Sequence, residues 1–180
     1  MPAEPAQDEP SALVRQALEQ HESALIAYAA GILGGDIDRA RDVVQDTFLR
    51  LYLSDPIKVR ENLKAWLYTV CRNRALDCLR KDQRLELGND DFIASTPSEQ
   101  RDPSQEADTN ELCQRVWGLL DRLSLNQREV IRLKFQHDCS YQEIAEITGL
   151  TTGNVGFLMH VAIKKLRELL GNELSQHALN

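Results

Sequence analysis

Apolar residues recur every three or four positions along most of this chain, the spacing that lines one face of an α-helix. The opening helix is predicted to start from a Ser11 cap and to run toward Leu33, where Gly34 and Gly35 stop it. Asp36 or Asp38 can cap a second helix that sets Val44, Phe48 and Leu51 on one stripe, and Asp55-Pro56 then breaks the chain. A third helix, over about 62–84, turns Leu63, Trp66, Leu67, Val70, Cys71, Ala75, Cys78 and Leu79 to one side. Its opposite side receives Tyr68, Thr69, Arg72, Asn73 and Arg80, groups that can stack on bases, bond their edges and neutralise phosphates.

The C-terminal half repeats the helical rhythm in shorter pieces. Leu112, Val116, Leu119, Leu120 and Leu123 define one helix, and Ser124 caps another that contains Val130, Ile131, Leu133 and Phe135. Ser140 caps a third, and Thr151 a last helix that begins near Thr152. The stretch YQEIAEITGLTTGNVGFL, 141–158, has residue sizes that suit a helix-turn-helix on double-stranded DNA. Ile144, Leu150, Val155 and Leu158 can close a small core, Ala145 lets the helices cross closely, and Gly149 supplies the turn. Val155, Leu158, Met159, Ala162, Leu166 and Leu169 point inward together. Gly153, Gly156, Phe157, His160 and Lys164 face outward, with Lys165 and Arg167 beside them, as a recognition helix in the major groove requires.

Charge modifies this picture once it is divided along the chain. The 180 residues carry a net −7, yet 86–111 holds eight acids against Arg101 alone, which already accounts for −7. Just before it, 56–85 holds eight Lys and Arg against three acids, a net +5. A basic block thus precedes an acidic one. The acidic stretch is also rich in small polar residues and contains Pro97 and Pro103, the composition of a linker between two helical domains.

Other chemistries find little support. No apolar run follows the acidic, proline-rich start, so no secretory signal is expected, and no stretch approaches the roughly 18 apolar residues of a membrane span. Cys71, Cys78, Cys113 and Cys139 lack close CxxC spacing, and His21, His137, His160 and His177 are scattered. No metal site and no cofactor are therefore expected, and Cys71 and Cys78 read as small buried hydrophobes. No nucleophile triad or Gly-rich phosphate loop is present at a recognisable spacing, so no enzyme is expected.

The order of the parts carries a resemblance. ARDVVQDTFLRLY, a break, NLKAWLYTVCRNRALDCLRK, an acidic linker, then LSLNQREVIRLKF and SYQEIAEITGL together resemble a bacterial RNA polymerase sigma factor of the extracytoplasmic-function group, over about 13–170. The resemblance implies an all-α fold of two small helical domains: a region 2-like domain over 11–85 and a region 4-like helix-turn-helix domain over 111–172. An acidic flexible linker over 86–110 joins them, and 1–10 and 173–180 are tails. It implies core RNA polymerase and promoter DNA as partners, an anti-sigma factor as regulator, a cytoplasmic location, no membrane insertion and a monomer when free.

Residue by residue, the resemblance implies that Asp42, Gln45, Asp46, Leu49 and Arg50 bind core polymerase. Lys58, Arg60, Asn62, Tyr68, Arg72 and Asn73, from the loop over 55–62 and the helix after it, would capture the melted minus-ten strand by phosphate contact, base-edge bonding or stacking. Trp66 stands at the family's aromatic position, although its place in the apolar stripe assigns it to the core. Thr152, Asn154, Phe157, His160, Lys164 and Lys165 would read the minus-thirty-five element as duplex. Here the chain departs from the family, with Gly156-Phe157-Leu158 where a run such as Lys-Ser-Arg is common. Phe157 could meet a thymine methyl or pack on another protein surface. The acidic linker would pass through the polymerase cleft and mimic a phosphate backbone. Two other readings stay open from the residues: a helix-turn-helix regulator that binds duplex without polymerase, and a helical adaptor that binds only protein.

Overall fold

In the computed structural model the backbone is described at residues 9–87 and 118–177, and side chains at 11–82 and 118–172. Described residues are helical wherever they are regular, and the chain divides into two compact units, 1–101 and 102–180.

Unit one consists of α1 (Glu9–Ile32), α2 (Ile37–Leu53), α3 (Pro56–Arg60) and α4 (Leu63–Leu87). Helix α1 is already formed where Ser11 was expected to cap it, so Ser11 lies within its first turns. Gly34 and Gly35, both at positive φ, reverse the chain, and the Gly35 amide donates to the Ala30 carbonyl at 2.8 Å. Asp36 then caps α2 by accepting the Arg39 amide at 3.0 Å.

Positions Ala40, Val43, Val44, Thr47, Phe48 and Leu51 of α2 are all buried, which is the 3.6-residue periodicity written in full. They pack with Leu25, Tyr28 and Ala29 of α1, Leu33 just after it, and Leu67, Cys71 and Ala75 of α4, since α1, α2 and α4 contact one another pairwise. Burial of each large apolar side chain contributes about 1.5–3 kcal/mol. The one polar member, Thr47, donates its hydroxyl to the Val43 carbonyl at 2.8 Å.

Two expectations for this unit are corrected. Asp55-Pro56 begins a helix as well as breaking the chain: Asp55 accepts the Ile57 amide at 3.1 Å and Pro56 fills the first turn, so 55–62 is mostly helical. The buried face of α4 is rotated by about 60° from the expected stripe. Its buried members are Ala65, Leu67, Tyr68, Cys71 and Ala75, while Leu63, Trp66, Val70, Cys78 and Leu79 are only half-buried.

Unit two is described from residue 118 and comprises a 3-10 turn (Leu120–Arg122), α5 (Leu125–Phe135), α6 (Tyr141–Thr148) and α7 (Thr152–His177). Ser124 and Ser140 each close a capping box. Ser140 Oγ accepts the Glu143 amide at 3.2 Å, and Glu143 Oε2 accepts the Ser140 amide at 2.7 Å. Gly149, at φ 73°, ends α6, and Thr151 Oγ accepts the Asn154 amide at 3.2 Å to start α7.

Leu120, Val130, Leu133, Ile144, Ile147, Val155, Met159 and Ala162 form the core of this unit. Phe135, placed with the apolar residues of its helix, is instead 60% exposed. The expected acidic linker lies almost wholly outside the described residues, as do Leu112, Cys113 and Val116; only its first two positions are seen, in the last turn of α4. Helix α7 reaches His177, into the stretch expected to be a tail.

Candidate polymerase and DNA interfaces

The five α2 residues expected to bind polymerase fall on the side away from the core, because Val43, Val44, Thr47 and Phe48 occupy the inner stripe. Asp42, Gln45, Leu49 and Arg50 are exposed. Asp46 differs: its Oδ2 accepts Arg50 Nε at 2.9 Å and Arg74 Nε at 2.6 Å, so its carboxylate joins α2 to α4. Arg39 of α2 also pairs with Asp82 of α4.

Leu49 has apolar company that the sequence reading missed. Tyr52 and Leu53 follow it at helical spacing, and Leu49, Tyr52, Leu53 and Ile57 of α3 are 56%, 52%, 74% and 77% exposed. Their signal was available, since apolar residues that fall outside the Val44, Phe48, Leu51 stripe have no core to enter. Exposed apolar groups that lie together are a feature of surfaces that bind other molecules.

On α3, α4 and the turn between them, Lys58, Arg60, Asn62 and Asn73 are exposed and Arg72 is half-buried. Lys58 Nζ lies 3.8 Å from Asp55 Oδ2, an exposed pair that leaves the ammonium open to solvent. Tyr68 does not belong with them. It is 1% exposed, and its ring sits on Tyr28 of α1, with centroids 5.1 Å apart and planes tilted by 57°. The half-buried Trp66 takes the outward position instead, sharing a helix face with Thr69 and Asn73. Of the two α4 aromatics, Trp66 is therefore the one that reaches the surface.

All six α7 candidates, Thr152, Asn154, Phe157, His160, Lys164 and Lys165, are exposed, while Val155, Met159, Ala162 and Leu166 are buried behind them. Gly156 is half-buried under the Tyr141 ring, where a Cβ would meet Cε2 at 3.8 Å.

Two titratable groups are shifted by the packing around them. Burial pushes the Cys71 thiol up to about 12, against the opposing hydrogen bond with Thr47. Partial burial, helped by the Lys64 charge, lowers His21 below its ordinary value. Among the described residues no group of three His, Cys, Asp or Glu could hold a metal ion, and no helix is long and apolar enough to cross a membrane.

The family Sigma-70 region 2 matches residues 17–85, and Sigma-70 region 4 matches 113–166. The chain is 31% identical over 159 residues to ECF RNA polymerase sigma factor SigL of Mycobacterium tuberculosis, covering 87% of this chain and 88% of that protein. It therefore belongs to the ECF RNA polymerase sigma factors. A second relative, ECF RNA polymerase sigma factor EcfG of Rhodopseudomonas palustris, is 34% identical over 139 residues, which is 77% of this sigma factor and 75% of EcfG. The fold agrees with the sigma factor RpoE of Bartonella quintana, solved in complex with the anti-sigma factor NepR, at a TM-score of 0.66 and 31% identity over 87% of this chain and 96% of that one.

The two matches align with the two units. Region 2 takes in every α2, α3 and α4 candidate, and region 4 takes in every α7 candidate of this sigma factor.

Proposed function

We propose that this sigma factor is a dissociable, non-catalytic specificity subunit of RNA polymerase. In this reading residues 11–85 bind core polymerase through Asp42, Gln45, Leu49 and Arg50 and the apolar Tyr52, Leu53 and Ile57 beside them. Lys58, Arg60, Asn62, Arg72, Asn73 and the outward Trp66 capture the melted minus-ten strand: cations on phosphates, amides on base edges, the indole on an unstacked base. Residues 111–172 read the minus-thirty-five element as duplex through α7, and the acidic stretch 86–110 connects the two domains. The protein acts in the cytoplasm and is a monomer when free.

The observation that carries this reading is the position of the α7 candidates. All six lie exposed on a helix that directly follows a capped α6 and a Gly149 turn, in a chain whose other unit is of the region 2 kind. The low overall charge suits it, because polymerase supplies much of the affinity and free sigma need not hold DNA tightly. An anti-sigma factor as regulator is supported by the similar RpoE, solved with the anti-sigma factor NepR, and by the similar CnrH, solved with the cytosolic domain of CnrY.

Core dependence of promoter binding tests the proposal. A promoter duplex should be retarded in a native gel by the protein with core polymerase and not by the protein alone. Tight specific binding without core would make the chain a conventional regulator, and binding to neither would make it a protein-only adaptor.

A further inference from the structure

The outward side of α7 separates its charge from its apolar surface. From Thr151 to Ile163 the chain contains no lysine or arginine, and Lys164, Lys165 and Arg167, all exposed, come only in later turns, where they outnumber the one exposed acid among the described residues, Glu168. In the first turns the solvent-facing groups include no lysine, arginine or carboxylate: they are Thr152, Gly153, Asn154, Phe157 and His160. Phe157 stands at the middle of this side, with Gly153 one turn before it and Lys164 two turns after it sharing its direction.

Neither Phe157 nor Gly153 is explained by the fold. Phe157 is 64% exposed, while the core of the unit is served by Val155 and Met159 on the other side of the helix. A Cβ at Gly153 would meet nothing within 4 Å, and the residue is not at positive φ. Glycine stabilises this first turn of α7 less than alanine would. Its effect is to leave bare backbone beside the phenyl ring, so that a surface can come close to both.

The major groove offers one apolar group on its floor, the C5-methyl of thymine. The cations that follow along the same helix favour a polyanion over a protein as the occupant of this face. We propose that Phe157 is a specificity-determining residue that reads a thymine methyl in the minus-thirty-five element. The inference rests on the reading of α7 as the recognition helix and adds what it recognises. Base discrimination in the first turns of α7 then comes from apolar contact and neutral hydrogen bonds, and the later cations hold phosphates.

Deoxyuridine provides the test, because it pairs as thymine does, keeps the O4 acceptor and lacks only the methyl. Full-length protein with core polymerase is titrated against promoter duplexes in which each thymine of the minus-thirty-five element is replaced in turn. At one position the replacement should weaken binding about fourfold, the value of one buried methyl-sized group. Phe157→Ala should bind the thymine duplex about as weakly and should no longer distinguish thymine from deoxyuridine, whereas Phe157→Leu should keep part of the discrimination.

If no position distinguishes the two bases, or if the discrimination persists in Phe157→Ala, the inference is overturned and the promoter reading stands. If binding of the wild-type holoenzyme is indifferent to the whole minus-thirty-five element, the reading of α7 fails and the inference fails with it.

Discussion

Asp46 of α2 and Arg74 of α4 form an ion pair, Nε to Oδ2 at 2.6 Å, that links the helix assigned to polymerase with the helix assigned to the melted strand. Both side chains are about one-third exposed, and Arg50 shares the same carboxylate oxygen. Asp46 thus joins α2 to α4 and holds the two proposed surfaces together.

Asp46→Asn should lower stability by about 1 kcal/mol, the range of a partly solvated pair that loses its charge. Asp42→Ala and Gln45→Ala, whose side chains are exposed, should leave the melting temperature unchanged while weakening core polymerase binding. Thermal unfolding beside a fluorescence titration with core separates the two effects. Equal melting temperatures for all three variants would contradict the linking role of Asp46.

Tyr68 and Trp66 should respond to alanine in opposite ways. Tyr68→Ala removes a ring buried against Tyr28 and should cost about 3–5 kcal/mol, enough to unfold much of the first unit. Trp66→Ala should cost less stability and should reduce permanganate reactivity of minus-ten thymines in the open complex. Normal promoter opening by a folded Trp66→Ala protein would contradict the assignment of the indole to the melted strand.

His21 gives the first unit a pH dependence of definite sign. Its folded pKa lies below the ordinary 6.5, through burial first and the Lys64 charge second, so the unfolded chain takes up the proton more readily. Its contribution is fully present above the ordinary value and is lost as pH falls from there through the lowered one. Denaturant midpoints measured from pH 7.5 down to about 5 should decline less in His21→Gln than in the wild type. Identical declines would remove His21 from the account.

Cys71 should be inert in the native protein. With its thiol pushed up to about 12, it holds almost no thiolate near neutrality. Thiol titration at pH 8 should find it protected until denaturant is added, with the half-buried Cys78 reacting sooner. Rapid native labelling of Cys71, identified by mass spectrometry, would contradict its burial.

What was legible in the chain was what local chemistry determines. Asp36, Ser124, Ser140 and Thr151 each place an oxygen over the amides of the next residues, and Gly149 takes the left-handed turn, so helix starts and the helix-turn-helix could be read directly. The same logic would have found α3, where Asp55 and Pro56 form a start signal that was read only as a break. Ser11 shows the converse, a residue fit to cap in a helix that had already begun.

The orientation of α4 was less legible, because Trp66 and Tyr68 are both amphipathic and a rotation of less than one residue exchanges them. What decides between them is Tyr28, on a different helix. The Asp46–Arg74 pair likewise joins distant parts of the chain, which no periodicity reports. Of the candidate site residues, those on α7 were the most accessible to reasoning, since a helix with one clear core face leaves little choice about what points outward.

The central claim is promoter-specific initiation, and in vitro transcription tests it most directly. Core RNA polymerase from a related bacterium, given a pool of promoter fragments that includes the region upstream of this protein's own gene, should yield transcripts with defined starts only when the protein is added. Those transcripts should weaken when Arg72 and Asn73 are changed to alanine. A protein that binds core polymerase yet supports no start-specific transcript from any fragment would contradict the account.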